Sequence, residues 1–213
     1  MTPADHESGP RSQRATRLWQ AAFNLVFLAF FVLLAVGSYR NVVATGSLRA
    51  VGILGVNILF VALFVARRPA REESPSLPLW ALAMAATMLP LFLRAGGPAD
   101  FVRLGAGVQG LGLVGLAAGL LSLRRSFGVA PANRGVRESG MYRVVRHPIY
   151  LAELTIILGV VIASPTVVNL LVLVCECALQ FARALAEENF LATDPAYRAY
   201  GERVRYRLLP GVL

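Results

Sequence analysis

The chain has 213 residues, of which 56% are hydrophobic and only 15% are charged, and its mean hydropathy is +0.61. Soluble domains are about 45–50% apolar and about 25% charged, so this composition excludes an ordinary soluble domain and predicts several membrane-spanning helices. The net charge is +9, and all 21 basic residues are arginine. The arginines flank the apolar stretches and form no separate basic domain, which argues against nucleic-acid binding.

The amino-terminal half of the chain predicts a transmembrane region. Residues 1–17 are polar, and we expect them to be disordered and cytoplasmic. Residues 18–123 are predicted to hold four transmembrane helices, at 18–36, 51–66, 77–93 and 104–123. The fourth helix is rich in glycine, and Gly115 and Gly119 form a small-xxx-small pair that predicts close helix packing.

Residues 124–213 are predicted to be a cofactor-binding and catalytic region. A polar loop precedes two apolar segments, 149–163 and 166–181, which Ser164-Pro165 separates, so we predict a helical hairpin over 149–182. The charged and aromatic end of the chain predicts an amphipathic helix at the membrane surface. The fold class is therefore all-α, a polytopic membrane protein with about five to six transmembrane helices including the C-terminal hairpin.

The distribution of arginine predicts the orientation of these helices. If the amino terminus is inside, 17 of the 21 arginines lie in inner segments and four lie in outer loops. The positive-inside rule then places both termini in the cytoplasm. We expect a multi-pass protein of a bacterial inner membrane, with the cofactor-binding region on its cytoplasmic face.

A stripe of polar residues runs along the second helix of the hairpin. Glu176, Gln180, Arg183 and Glu187 are spaced i, i+4, i+7 and i+11, which places them on one face, and Asn169 extends the stripe. Lipid cannot satisfy these groups, so the stripe must face a cavity or a partner. The alternative is an internal salt bridge that neutralises Arg183, and the two interpretations are compatible.

A second polar cluster opens the hairpin. Pro148 suits the first turn of a helix, which places His147 at a helix amino terminus, where backbone N–H groups favour an anion. Tyr150 and Glu153 are spaced i, i+3 and share a face. The alternative for His147 is a contact with lipid headgroups at the membrane interface.

The two cysteines, Cys175 and Cys177, flank a glutamate inside an apolar stretch. Residues two apart on a helix point in different directions, so a disulfide between them is implausible. With no partner pair elsewhere we expect no metal site, and we predict plain buried thiols.

Several motifs follow one another through residues 120–213. They are Ser126-Phe127-Gly128-Val129-Ala130-Pro131, Gly140-x-Tyr142-x3-Arg146-His147-Pro148-x-Tyr150, Arg183-x3-Glu187-Glu188, Tyr197-x2-Tyr200 and Leu209-Pro210. In order and spacing they resemble the isoprenylcysteine carboxyl methyltransferases and their bacterial relatives. The chain departs from that pattern at Ala152, where the family has glycine, and at Thr193-Asp194-Pro195, which replaces a Phe-Gly pair.

The resemblance implies an integral membrane methyltransferase that uses S-adenosylmethionine and wraps it with the carboxy-terminal half of the chain. The expected cofactor contacts are Arg146, His147, Pro148, Tyr150, Tyr142, Glu188, Tyr197 and Tyr200. The expected catalytic residues are Arg183, Glu187 and Glu153. Arg183 would bind and orient the acceptor, and a carboxylate would serve as base if the acceptor is an amine or a thiol rather than a carboxylate.

The expected acceptor is a lipophilic small molecule or a lipid, and membrane lipids are the other expected partners. Two other functions remain open from the sequence. One is an NADPH-dependent membrane reductase of sterol-reductase-like fold, because such enzymes have similar carboxy-terminal cofactor sites. The other is a non-catalytic membrane protein such as a transporter, which inverted repeats would favour, but the sequence shows none. The oligomeric state is not predicted.

Overall fold

The protein folds as an assembly of helices. Its structure is a computed structural model that describes residues 10–68, 70, 72–74, 76–94, 96–128 and 132–211. Within these ranges the side chains of residues 10–17, 72 and 73 are not described. The helices are α1 (Pro10–Thr45), α2 (Leu48–Ala66), α3 (Leu77–Met88), α4 (Ala99–Leu123), α5 (Pro148–Ala163), α6 (Val167–Leu191) and α7 (Pro195–Arg203). Short 3-10 segments are Leu89–Phe92, Arg124–Ser126 and Gly140–Arg143, and two-residue strands are β1 (Glu72–Glu73) and β2 (Ala132–Asn133).

Four helices in the described part of the chain are long and apolar enough to cross a membrane. They are α2, α6, the stretch Leu18–Thr45 of α1, and α4 with its 3-10 extension, Ala99–Ser126. The helices Leu77–Phe92 and Pro148–Ala163 are apolar but shorter. These features confirm the all-α, polytopic membrane fold. The antiparallel pairing of β1 with β2, which was not predicted, joins the α2–α3 connection to the loop after α4.

The first helix is longer than predicted at both ends. Residues 10–17 were expected to be disordered but form the first turns of α1, whereas residues 1–9 lie outside the described residues. Helix nucleation is the costly step, so an Arg-, Gln- and Ala-containing segment next to a stable apolar helix can extend it. At the other end α1 continues past residue 36 to Thr45 and stops before Gly46, whose φ of 58° ends the helix.

The carboxy-terminal helices also differ from the prediction. α6 continues beyond residue 181 to Leu191, because its sequence there is rich in the helix formers Ala, Leu and Glu. The expected surface helix is therefore limited to α7, which Asp194 caps by accepting a hydrogen bond from the backbone N–H of Ala196. The residues after α7 form a non-helical tail, at 204–211.

The buried core between α1 and α2 is aromatic. Phe27 and Phe31 on α1, and Phe60 and Phe64 on α2, are spaced i, i+4 and so project from one face of each helix. The rings of Phe31 and Phe60 stack with centroids 4.8 Å apart. Phe127, from the loop after α4, meets Phe60 edge-on at 5.5 Å. These rings join the amino-terminal helices to the loop that leads to α5.

Helices α4 and α5 pack closely along glycines seven residues apart. These glycines are Gly105, Gly112 and Gly119. A Cβ atom at Gly112 would lie 2.8 Å from the backbone nitrogen of Ile156, so only glycine allows this approach. The structure confirms close packing at Gly119, but a Cβ at Gly115 would make only an ordinary contact at 3.4 Å. The close contacts between α4 and α5 therefore recur every seven residues, or about two helical turns, rather than every four residues.

Asn169 fixes the turn of the hairpin instead of extending the polar stripe. Its side chain is fully buried, and its amide donates to the carbonyls of Arg94 and Ser164 at 2.9 and 2.7 Å. Its carbonyl oxygen accepts from the backbone N–H of Arg94 at 2.8 Å. The side chain thus ties the α3–α4 connection to the α5–α6 turn, and it satisfies backbone groups that lipid could not.

The prediction of buried thiols at Cys175 and Cys177 is wrong, since both are exposed on the surface of α6. The polar stripe provides the reason. Glu176, which lies between them, is buried, so the flanking residues turn away from the protein interior. In a membrane this face of α6 would contact lipid.

Candidate functional site

The two predicted polar clusters lie together at one end of the helix assembly. His147 immediately precedes α5 and Pro148 occupies its first turn, as the sequence predicted. The carboxy-terminal tail runs beside this helix start. The backbone N–H groups of Arg146 and His147 donate to the carbonyls of Tyr206 and Arg207, each at 2.9 Å. The tail therefore brings its own side chains to the end of α6.

Glu188 on α6 is the centre of an ionic cluster. Its carboxylate lies 3.1 Å from Nε2 of His147 and 3.1 Å from Nη1 of Arg146, and it accepts a hydrogen bond from Nε of Arg207 at 2.9 Å. Arg146 also donates to the carbonyl of Arg205 at 3.0 Å. One carboxylate thereby joins α6, the start of α5 and the carboxy-terminal tail.

Tyr150 lies among three charged or ionisable neighbours. Its ring stacks on the imidazole of His147, with centroids 5.2 Å apart and planes 4° apart. The guanidinium of Arg183 lies 4.7 Å from the centroid of the same ring, within the range of a cation–π contact. The Tyr150 hydroxyl donates to Glu187 at 2.9 Å. Tyr150 therefore fixes the relative positions of α5 and α6 at the site.

Gln180 connects the buried charges of α6 and α5. Its amide nitrogen donates to Glu153 at 2.7 Å and to Glu176 at 2.8 Å. Its carbonyl oxygen accepts from Nη1 of Arg183 at 3.1 Å. The expected stripe is thus a hydrogen-bonded chain that links two carboxylates to one guanidinium through a neutral amide.

A cavity of about 440 Å³ extends from this chain of polar side chains into the aromatic core. Its polar wall includes Arg146, His147, Glu176, Arg183 and Glu187. Its apolar wall comes from α1, α2 and the end of α3 with the 3-10 segment that follows it, and it includes Phe30, Phe31, Phe60, Leu34 and Leu91. The cavity is thus polar at one end and apolar at the other, which suits an amphipathic ligand or two ligands in contact.

Three tyrosines of the loop and α7 form the outer wall of the cavity. Burial raises the pKa of Tyr142 well above its ordinary value, and the charge of Glu187 raises it further. Burial also raises the pKa values of Tyr197 and Tyr200. The hydroxyl of Tyr200 donates to the carbonyl of Tyr142 at 2.9 Å. All three side chains are therefore neutral hydrogen-bonding groups at physiological pH.

Most of the residues predicted for the site line the cavity. They are Arg146, His147, Tyr150, Tyr142, Tyr197, Tyr200, Arg183, Glu187 and Glu153. Pro148 and Glu188 are not among the lining residues: Pro148 is buried in the first turn of α5, and Glu188 faces the ionic cluster. Between the adjacent glutamates, the geometry places Glu187 at the cavity and Glu188 behind it.

Sequence reasoning missed some residues of the site. Gln180 and Glu176 were predicted to belong to the polar stripe but not to the site. Their spacing from Arg183, which places all three on one helix face, could have included them. No role was predicted for Arg207, because its contact with Glu188 depends on the tail folding back beside α5. The aromatic side chains of α1 and α2 that line the cavity were also missed, because they lie far in the sequence from the motifs. The spacing i, i+4 of several phenylalanines was the signal that could have indicated these helix faces.

The carboxy-terminal part of the chain is similar to a known protein family. Residues 119–201 match the model of the phospholipid methyltransferase family. No curated protein sequence matches the chain. The matched segment runs from the end of α4 into α7 and contains most of the polar wall of the cavity. The predicted resemblance to membrane methyltransferases is therefore confirmed over this segment, within a chain that has several apolar helices.

Proposed function

We propose that this membrane protein transfers the methyl group of S-adenosylmethionine to a lipophilic acceptor. The observation that carries the proposal is the cavity, which joins the polar side chains of α5 and α6 to the aromatic wall of α1 and α2. A charged cofactor and a hydrophobic acceptor need such neighbouring environments to meet. The family match supports methyl transfer as the reaction.

The polar wall has the donors and acceptors that S-adenosylmethionine requires. Nε of Arg146 is buried without a hydrogen-bond partner in the described part of the chain, and Arg146 lines the cavity, so this N–H suits the cofactor's carboxylate. The side chain of Glu187 is 33% exposed at the cavity, where its carboxylate suits an ammonium group or ribose hydroxyls. When bound, the cofactor supplies a methyl group on a positively charged sulfur.

The protein's own contribution is mainly to hold the reactants in line, because displacement at a methyl group depends on distance and angle. Arg183 is held by Gln180 on one side and by the Tyr150 ring on the other, so its guanidinium has a defined orientation. It would orient the acceptor. Glu153 and Glu187 line the same cavity and would accept a proton if the acceptor is an amine or a thiol.

We assign Glu188 a positioning role instead of direct contact with the cofactor. Its carboxylate contacts His147, Arg146 and Arg207, and it is not among the side chains that line the cavity. Without the carboxylate, three groups that are positive or can become positive would lie close together. The start of α5 and the tail would then lose their common anchor on α6.

We further propose that the site opens to the cytoplasm. The site end of the assembly includes the end of α2, the end of α4 and the loop before α5, and arginines concentrate in these segments. The opposite connections contain few arginines. By the positive-inside rule this distribution supports a site on the cytoplasmic face, where S-adenosylmethionine would be available.

The test is calorimetric titration of the purified protein in lipid nanodiscs with S-adenosylmethionine and, separately, with NADPH. We expect S-adenosylmethionine to bind and NADPH not to bind. Replacing Glu187 by Gln should weaken binding by about tenfold or more, because a charge-assisted hydrogen bond contributes roughly 1.5–3 kcal/mol. The matched control is Glu138→Gln, which removes an exposed carboxylate paired with Arg203 and should leave binding unchanged.

The variant Glu188→Gln separates positioning from contact. We expect it to weaken cofactor binding and also to lower the unfolding temperature, whereas Glu187→Gln should weaken binding without lowering that temperature. If a folded wild-type protein does not bind S-adenosylmethionine, the proposed function is wrong. Saturable NADPH binding would instead support a reductase.

A further inference from the structure

Two polar residues interrupt the apolar wall of the cavity. Ser38 on α1 and Asn57 on α2 both line it, and the side-chain amide of Asn57 donates to the hydroxyl oxygen of Ser38 at 2.8 Å. Both residues lie within helices that are long and apolar enough to cross a membrane, and both are partly buried. Polar groups at such positions need a polar partner, because lipid offers them no hydrogen bonds.

The pair of Ser38 and Asn57 keeps hydrogen-bonding groups that the described part of the chain does not use. Other helical hydroxyls donate to the carbonyl four residues earlier, as those of Thr87, Ser122 and Thr155 do. The Ser38 hydroxyl makes no such bond among the described residues, and Asn57 bonds there only to Ser38. Either orientation of the Asn57 amide therefore leaves at least one donor and one acceptor of the pair unused.

The pair lies at about the depth of the polar wall. A Cβ at Gly52 on α2 would lie 3.7 Å from the side chain of Leu113 on α4, and the neighbouring Gly112 lies against the backbone of Ile156 on α5. Asn57 is five residues beyond Gly52 towards the site end, a rise of about 7.5 Å. The same distance from Ile156 towards that end reaches the first turn of α5, where the polar wall begins.

A bond that only ties two helices together looks different in this protein. Asn169 joins two helix connections, and it is fully buried, with its amide and its carbonyl oxygen both hydrogen-bonded. Asn57 is instead partly exposed at the cavity and has one such bond among the described residues. Helices α1 and α2 also pack through their phenylalanines without help from this pair. The pair is therefore placed to contact a molecule in the cavity.

We propose that Ser38 and Asn57 bind a hydroxyl group on the hydrophobic body of the acceptor. A hydroxyl both donates and accepts, so it can use the remaining donor and acceptor of the pair together, whereas an ether oxygen can only accept. An acceptor without this hydroxyl would leave polar groups of the pair unsatisfied in an apolar environment, which lowers its affinity.

This inference rests on the proposed function, which places the acceptor in the cavity. Arg183 would orient the reacting group from α6, while Ser38 and Asn57 would hold the body of the same molecule from α1 and α2. Two separate contacts restrict the rotation of a bound molecule more than one contact does. Neither residue of the pair lies within 119–201, the segment that matches the family model, so this part of the specificity comes from outside that segment.

The experiment compares two isomers that differ in one hydrogen-bond donor. Decanol and methyl nonyl ether are titrated into the wild-type protein in nanodiscs without cofactor, and empty nanodiscs correct for partition into lipid. We expect decanol to bind saturably and about tenfold more tightly than the ether. Asn57→Leu and Ser38→Ala should each reduce this preference several-fold. The matched control is Thr87→Val, which also removes a hydroxyl from the cavity wall, but one already bonded to Ala83, and should retain the preference.

The smaller change Ser38→Ala decides the test if circular dichroism shows that Asn57→Leu does not fold. Equal affinities of the wild type for the two isomers would overturn the proposal. An unchanged preference in folded Ser38→Ala, even with a lower unfolding temperature, would also overturn it and leave the pair as a tie between helices. Titration of the wild type with S-adenosylmethionine separates the two proposals. Cofactor binding without the preference for decanol would refute the hydroxyl contact alone, and the reverse result would refute the cofactor proposal alone.

Discussion

The close contact between α4 and α5 allows a paired test of the fold and the site. We predict that Gly112→Ala destabilises the protein, whereas Gly107→Ala on the same helix stabilises it slightly. A Cβ at Gly112 would lie 2.8 Å from the backbone nitrogen of Ile156 and 3.0 Å from the carbonyl oxygen of Ala152. A Cβ at Gly107 would meet nothing within 4 Å.

The expected magnitude follows from two opposing contributions. Alanine is favoured over glycine inside a helix by roughly 0.5–1 kcal/mol, and both variants gain this amount. Overpacking a tight contact costs about 1–3 kcal/mol, and only Gly112→Ala pays it, because backbone atoms cannot rotate away as a flexible side chain can. The difference between the two variants therefore isolates the packing cost, at about 1–3 kcal/mol.

The assay is reversible unfolding in mixed micelles, followed by tryptophan fluorescence. The contact between α4 and α5 also affects the site, because Ala152 precedes Glu153 on α5 and Ile156 lines the cavity with it. Gly112→Ala should therefore weaken S-adenosylmethionine binding as well. Equal free energies of unfolding for the two variants would show that α4 and α5 do not approach as closely as described. A loss of stability in Gly107→Ala as large as in Gly112→Ala would show that the loss does not come from the contact with α5.

Two further predictions concern the tyrosines and the hairpin turn. Because burial raises the pKa of Tyr142 and Tyr200 in the folded state, the unfolded chain loses these protons first. The free energy of unfolding should therefore be insensitive to these groups below about pH 10 and should fall above it, by up to about 1.4 kcal/mol per pH unit and tyrosine. Tyr200→Phe should reduce that slope by one tyrosine's share in denaturation curves measured across the alkaline range, and an unchanged slope would contradict the buried state of Tyr200. Asn169→Leu should lower the free energy of unfolding by about 2–4 kcal/mol, since it removes three hydrogen bonds that involve Arg94 and Ser164. An unfolding free energy equal to that of the wild type would contradict the role of Asn169 in joining the two connections.

The sequence predicted those parts of the fold that depend on local signals. Runs of apolar residues near bilayer length located the long helices, and the His147-Pro148 step located the start of α5. The ends of α1 and α6 were harder to predict. Their polar extensions, from Pro10 and to Leu191, are helical because they continue an existing helix, and no hydrophobic pattern marks them.

The sequence could also predict which residues gather at the site, but not which way each one faces. Adjacent residues on a helix point about 100° apart, so the pair Glu187-Glu188 had to divide between two environments. Only the packing of α6 against α5 and the tail shows that Glu187 takes the cavity. The contact of Arg207 with Glu188 depends on a tail that has no regular structure. Such long-range contacts leave no periodic signal in the sequence.

The shortness of α5 has a consequence for the surrounding bilayer. Its 16 residues span about 24 Å, whereas the hydrocarbon core of a typical bilayer is about 30 Å thick. The apolar helix Leu77–Phe92 is also short, and it packs beside α6 as α5 does. Hydrophobic mismatch on this side of the protein would thin the adjacent lipid or tilt the hairpin. A tilt of α5 would move Tyr150 and Glu153, which line the cavity. The geometry of the cavity would then depend on the thickness of the surrounding membrane.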